Sequence, residues 1–408
     1  MNALEIRKYF PIYQKNPNLV YMDTGATSLK PSCVLDKMEE YYREYGVNIH
    51  RGVYKLSYQA TDMVDIARVK VAKFINAKEE EVVFLRNASE ALNFVALTYG
   101  DKYLTKGDEV ITSELDHHSC LLPWMKICEK KEANLKYIPL NEDGRITVEN
   151  FKKVLNEKTK VVALNYFSNV FGYMSPIKEI IELAHSVGAI VVVDAAQAVA
   201  HHVVDVKDLD CDFLAFSGHK MMGPTGIGIL YGKKKILKKL DPLFYGGDMN
   251  DEVYKTSVEV KDVPYRFETG TPAIAEAIGL GEAIDFITSI GLDNIHKYTK
   301  GLYDYTIEKL KDVKGITIYN KNPELPIIAF NINGVHPHDA ATLFDEANIC
   351  LRAGHHCAQL LTKWLNVFGT LRGSFYIYNT YEDCDKFIET VKDAVLFFEK
   401  INGENYEW

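Results

Sequence analysis

With 408 residues the chain exceeds the size at which one hydrophobic core usually stops growing, so two domains are expected. A composition of 47% hydrophobic and 25% charged residues is that of an ordinary soluble globular protein. The formal net charge of -9 argues against general attraction to nucleic acid or to an anionic membrane, leaving room only for a local basic pocket that takes a phosphate.

The first residues, Met1 to Glu5, lack a basic segment running into a long apolar one, so no export signal is expected. No stretch approaches the roughly 20 apolar residues of a membrane span. A helix over Ala3–Tyr9 is expected to pack against the C-terminal part of the chain. A strand at 81–85 leads through a turn at Asn87 into a helix reaching about 98. Glu109-Val110-Ile111-Thr112 reads as a strand ahead of Asp116-His117-His118, and Val161 to Asn165 as another ahead of Ser168-Asn169. From Ile177 to Val187, apolar residues at 177, 180, 181, 183, 184 and 187 form a helical stripe that Gly188 ends. Ala189 to Val193 then reads as a buried strand delivering Asp194 at its edge. Gly226 to Tyr231 predicts a further strand, a candidate for antiparallel pairing, and the lysine-rich run 233–240 predicts a solvated segment between strands.

This alternation predicts an α/β large domain over 21–285 with a mostly parallel sheet, its polar residues gathered at strand ends where ligands bind. After 285 the pattern changes. A long helical stretch precedes a strand at Leu325–Ile332, a helix at His338–Ala347, a loop holding Cys357, a strand at Ser374–Tyr378 and a helix at Glu382–Lys400. That predicts a smaller α+β domain over 286–408, with residues 1–20 packed on it. Cysteines stand at 33, 120, 128, 211, 350, 357 and 384, an odd number without metal-like clustering, which points to free thiols in a reducing cytoplasm.

Lys220 lies among turn formers and apolar residues in Ser217-Gly218-His219-Lys220-Met221-Met222-Gly223. Burying an unpaired ammonium is costly, and a lysine joined to an aldehyde cofactor as an imine avoids that cost. A surface or phosphate-binding lysine is the other reading. Asp194 at a sheet rim needs a cationic partner, and a pyridinium nitrogen would serve. A helix cap or a magnesium ligand are the alternatives. Gln197, three residues on, could donate to a phenolic oxygen of the same ring. A cofactor phosphate needs N–H and hydroxyl donors, which the Ala88 and Ser89 helix start, Ser217 and His219 offer; for Ser89 simple capping is an equal reading. His117 is placed to lie flat on a ring, although isolated histidines are commonly structural.

Cys357 sits in the polar loop Arg352-Ala353-Gly354-His355-His356-Cys357, where Arg352 and two histidines would favour a thiolate. A structural cysteine is the alternative, and Cys350, between Ile349 and Leu351, reads as buried. Arg372 offers a second guanidinium for a two-pronged grip on a carboxylate.

These segments, in this order, resemble the group II, SufS-type cysteine desulfurases, fold-type I pyridoxal-phosphate enzymes of the class V aminotransferase family. The resemblance covers nearly the whole chain. Tyr21-Met22-Asp23-Thr24-Gly25-Ala26, His50-Arg51-Gly52-Val53, Ser168-Asn169-Val170-Phe171-Gly172 and Arg266 to Pro272 add to the motifs above. It implies a seven-stranded, mostly parallel sheet and a pyridoxal 5'-phosphate cofactor. Lys220 would be the imine-forming lysine and proton shuttle, Asp194 the ring-nitrogen partner, Gln197 the phenolic-oxygen partner and His117 the stacking group. Ala88 through its N–H, Ser89, Ser217 and His219 would hold the phosphate, with Thr271 reaching the neighbouring subunit's phosphate in a homodimer. Arg372 would clamp the substrate carboxylate, helped by Asn169 and Arg352, and Cys357 would take sulfur from L-cysteine as a persulfide, leaving L-alanine. A SufE- or SufU-like protein would accept the sulfur for iron–sulfur clusters or other sulfur compounds. Asn87-Ala88-Ser89-Glu90 stands where the family usually has Arg-Gly-Thr-Thr-Glu or close to it, costing a hydroxyl, and Leu371 replaces a frequent cysteine. The same ring chemistry would serve a selenocysteine lyase or related β-lyase, and a weakly active scaffold or sulfur carrier is a reading of another class.

Overall fold

A computed structural model describes residues 1–403. Seven strands form its main sheet: β1 (Val82–Leu85), β2 (Glu109–Ser113), β3 (Asn134–Ile138), β4 (Thr159–Asn165), β5 (Ile190–Asp194), β6 (Phe213–Ser217) and β7 (Gly228–Gly232). Their spatial order is β1-β7-β6-β5-β4-β2-β3. The run from β3 to β6 is parallel, whereas β7 pairs antiparallel with both β6 and β1. Every residue of β2, β5, β6 and β7 is buried, as sheets covered on both faces require.

The covering helices follow from their apolar stripes. Ile177–Ser186 buries Ile177, Ile180, Ile181 and Ala184 and ends before Gly188, whose φ of 78° an L side chain rarely adopts. Helix Ile274–Ile290 is apolar nearly all round because it packs on both Ser32–Glu44 and Lys55–Phe74. Helix Ala88–Val95 runs into a π-helical turn, Ala96–Gly100, so the helix foreseen to about 98 continues past it. The lysine-rich run contains the short helix Lys234–Leu237. It is surface-lying but anchored by buried Leu237, with Lys233, Lys234 and Lys238 paired to Asp210, Glu80 and Asp262.

The smaller domain is an antiparallel sheet of β8 (Ile316–Ile318), β9 (Ile327–Ile332), β10 (Arg352–Gly354) and β11 (Thr370–Ser374), in the order β8-β9-β11-β10. Helices Leu292–Leu310, Pro337–Glu346 and Tyr381–Gly403 pack together beside it. One expectation fails here: the strand foreseen at 374–378 ends at Ser374 and begins at Thr370. Phe375 to Tyr378 are fully buried and so mimic a strand in sequence, yet they leave the ladder. Phe375 N donates to Pro326 O, Tyr376 N to Asn379 Oδ1, and Tyr376 Oη to Ala200 O in the large domain. Cys350 is half-buried rather than buried, because it pairs with Tyr21 in a short parallel ladder near the surface. Helix Ala3–Arg7 is tied to the smaller domain through Arg7, which donates to Tyr378 O at 2.6 Å and pairs with Asp383. Among the described residues no helix is long and apolar enough to cross a membrane.

Candidate active site

The carboxyl ends of the parallel strands open into a cavity of about 390 Å³ whose wall is completed by the smaller domain. Lys220, Asp194, His117, Asn169, Arg372 and Cys357 all line it. These residues run from position 117 to position 372 and meet because Asp194 closes a strand, Lys220, His117, Asn169 and Cys357 sit in turns or loops past strand ends, and Arg372 stands on a strand of the smaller sheet.

Asp194 closes β5 and is buried, with one oxygen accepting the Ala196 N–H at 3.0 Å. Burial raises its pKa, and no cationic side chain lies within ion-pairing distance of it among the described residues. Lys220 ends the single turn Gly218–Lys220 after β6. Burial pushes its ammonium down to about 8, against the nearby Asp194 charge, so a neutral, nucleophilic amine is accessible near neutral pH. The carbonyl just before it, His219 O, accepts from Ser28 N, Ser28 Oγ, Thr27 Oγ1 and Lys30 Nζ, which holds the lysine's approach rigidly.

His117 caps helix His118–Lys131, its Nδ1 accepting the Ser119 N–H at 3.1 Å. The ring proton therefore resides on Nε2. Burial, reinforced by the Lys220 charge, pushes its pKa down to about 3, so the imidazole is neutral. The turn carrying it is held by Asp116, buried, which accepts from Ser113 N, Thr112 Oγ1 and both nitrogens of Asn165. Burial raises Asp116 to about 6 despite those donors.

At the far end of the cavity, Asn87 caps helix Ala88–Val95, its Oδ1 accepting from Glu90 N at 2.9 Å. Gly228 makes this possible: a Cβ there would stand 2.4 Å from Asn87 Cα. Ala88 N donates to Ser217 Oγ at 2.8 Å, Ser89 Oγ meets Ser119 Oγ at 2.5 Å, and His219 Nδ1 meets Thr27 Oγ1 at 3.2 Å. Hydroxyls, N–H groups and a helix start thus converge where an anion could be held.

On the opposite wall Arg372 is buried, with Nη1 donating to Asn169 O at 2.8 Å and Nη2 to Asp23 Oδ1 at 3.1 Å, while Nε has no partner. Arg352 is half exposed and pairs with the other oxygen of Asp23 at 3.3 Å. Cys357 is exposed, and both it and His356 hold left-handed backbone, with φ of 55° and 51°. That loop is clamped: Asn169 Nδ2 donates to His356 O at 2.7 Å, His118 N to Cys357 O at 2.7 Å, and Gln359 N to His118 Nε2 at 3.1 Å. His356 Nε2 lies 2.9 Å from Thr370 O. Two residues stand apart from the cavity. Gln197 spends its amide N–H on Gly25 O at 2.8 Å. Thr271 lines a separate hollow of about 220 Å³ with Arg51 and Asp248. Sequence reasoning assigned no role to Asp23, Asp116 or Ser119; the signal for Asp23 was its place after Val20-Tyr21-Met22 and before the Thr24-Gly25 turn.

Comparison with known proteins gives the family. The sequence profile described as aminotransferase class-V matches residues 20–387. A probable cysteine desulfurase of Halalkalibacterium halodurans is 48% identical, covering 98% of this chain and 99% of its own. One from Staphylococcus aureus is 47% identical, covering 97% of each. Among solved structures, the apo cysteine desulfurase of Thermococcus onnurineus superposes with a TM-score of 0.92 at 39% identity, covering 96% of this chain and 98% of that one. The Escherichia coli cysteine desulfurase in its S-sulfonic acid form gives 0.91 at 35%, covering 97% and 99%. The chain belongs to the class V aminotransferase family and, within it, to the group II cysteine desulfurases.

Proposed function

We propose that this enzyme converts L-cysteine to L-alanine and keeps the sulfur as a persulfide on Cys357. The observation that carries this is the placement of an exposed thiol, on a clamped loop, over a cavity that also holds a lysine, a buried carboxylate and a neutral histidine.

The residues present fit pyridoxal 5'-phosphate. Asp194 is a buried carboxylate without a cation, suited to a protonated ring nitrogen, and the Ala88–Ser89 helix start with Ser217 and His219 suits a phosphate. Lys220 is the amine that would hold the aldehyde and His117 would lie against the ring; Gln197, outside the cavity lining with one amide N–H on Gly25 O, would have its second N–H for the phenolic oxygen. Once bound, the cofactor supplies an aldehyde that condenses with amines and a ring that accepts electrons from the bond being broken.

The protein's own groups do the rest. Arg372, with an unpartnered Nε, receives the substrate carboxylate, with Asn169 and Arg352 alongside. Lys220 takes the proton from the substrate α-carbon and holds it on Nζ for return to the product. Cys357 Sγ attacks the substrate sulfur; the S–S bond forms as the carbon–sulfur bond breaks, and the electron pair and a proton end on the three-carbon product. Thr271, outside the cavity, is read as serving a second subunit's phosphate in a homodimer, and an external SufE- or SufU-like protein as removing the persulfide sulfur. Mass spectrometry after L-cysteine treatment tests the reading. The peptide holding Cys357 is expected to gain one sulfur atom, and no gain there overturns it.

A further inference from the structure

Arg352 and Arg372 are Cα partners on adjacent antiparallel strands, so their side chains leave the same face of the small sheet. Like charges opposed in this way repel, and both guanidiniums line the cavity. Between them stands Asp23, carried in by the N-terminal segment: Val20 and Tyr21 pair with Ile349 and Cys350, and Asp23 itself bridges Ser374. Its two oxygens divide between the arginines, Oδ1 to Arg372 Nη2 at 3.1 Å and Oδ2 to Arg352 Nη2 at 3.3 Å. Asp23 does not line the cavity. Gly25, two residues on, leaves room for this arrangement, since a Cβ there would lie 3.2 Å from Arg372 Cζ.

We propose that Asp23 is a specificity-determining positioning residue: it cancels one guanidinium charge, so the wall facing the substrate carries a single net positive charge. Such a wall matches an amino acid with one carboxylate and an uncharged side chain. Without Asp23, two uncompensated guanidiniums would face the cavity and a dianionic amino acid would gain most. This rests on the reading of the cavity as an amino-acid site and adds to it what sets charge selectivity.

The test uses protein loaded with pyridoxal phosphate, titrated with L-alanine and with L-aspartate and followed by absorbance. In Asp23→Asn the dissociation constant for L-aspartate, divided by that for L-alanine, is expected to fall by about tenfold or more relative to wild type. Asp23→Glu is expected to restore the ratio. Arg352→Gln, at a half-exposed position, is expected to shift the ratio the opposite way, since Asp23 then cancels Arg372. Equal weakening of both ligands in Asp23→Asn, or an unmoved ratio in both it and Arg352→Gln, overturns the proposal. Wild-type turnover of L-cysteine together with a ratio unmoved in those two variants sinks this proposal alone. Wild-type protein that neither turns over L-cysteine nor responds to L-alanine sinks the functional reading and the proposal with it.

Discussion

His118 N donates to the main-chain carbonyl of Cys357 at 2.7 Å, joining the turn that presents His117 to the loop that presents the nucleophile. The thiol of the smaller domain is thereby registered against the large-domain site by backbone atoms, which side-chain substitution cannot remove. Asn169 Nδ2 on His356 O adds a second tie from the same side.

That second tie can be cut. Asn169→Ala leaves His356 O buried without its donor, a loss of about 1–3 kcal/mol. Single-turnover alanine formation is expected to slow by about tenfold or more while the cofactor colour is kept. Unchanged single-turnover kinetics would show that the clamp has no bearing on the nucleophile.

Cys357→Ser is expected to retain cofactor and colour and to lose most turnover of L-cysteine, because a hydroxyl does not replace a thiolate as a sulfur nucleophile. Alanine release from L-cysteine and L-selenocysteine is the measurement. Full activity on L-cysteine removes the persulfide step, and turnover of L-selenocysteine alone favours a lyase.

Burial holds the Lys220 amine at about 8, so its neutral fraction grows as pH rises to that value and then saturates. The rate at which pyridoxal phosphate loads onto cofactor-free protein, read by absorbance, is expected to climb through pH 8 and level off above it. A rate still climbing near pH 10 would mark an ordinary, solvated lysine. Lys220→Met should show no imine absorbance at any pH.

His201 is buried against Tyr376, with Nδ1 unpartnered, and burial pushes its pKa down to about 3. Between about 3 and the ordinary histidine value near 6.5 the unfolded chain binds a proton that the folded one refuses, so stability falls as pH drops through that window. His201→Phe is expected to flatten this acid limb in denaturant titrations at pH 4–7. An acid limb as steep as wild type would refute the assignment.

The buried pair of Arg68 and Glu268 ties helix Lys55–Phe74 to β1, the strand that leads into Asn87 and Ala88. Arg68 Nη1 and Nη2 donate to the carboxylate at 2.7 and 2.8 Å, and Glu268 Oε1 also accepts from Phe84 N. Arg68→Met would strand the carboxylate, a loss on the order of 3–5 kcal/mol. Thermal unfolding is expected at a clearly lower temperature, with weaker cofactor retention; a midpoint equal to wild type would contradict it.

Much of this was legible in the chain. The Ile177–Val187 stripe, Gly188 and the five apolar residues before Asp194 announce a helix, its stop and a buried parallel strand, since periodicity and turn chemistry are local. Lys220, Asp194 and His117 stand out in the chain because each side chain is costly to bury idle, and Cys357 because its loop is polar and basic; the structure brings all four to one cavity. Phe375–Tyr378 misled because burial between domains and burial within a sheet leave the same apolar run.

What the sequence determined by itself was the alternating α/β order, the polar strand ends and the reactive side chains, all properties of neighbours along the chain. Only the tertiary structure decided that Asp23 would divide its oxygens between Arg352 and Arg372, that Asn169 would turn its amide to the cysteine loop, and that Gln197 and Thr271 would stand outside the cavity. Those are matters of which donor finds which acceptor across more than a hundred residues, and hydrogen-bond satisfaction in a packed interior is settled by the whole fold at once.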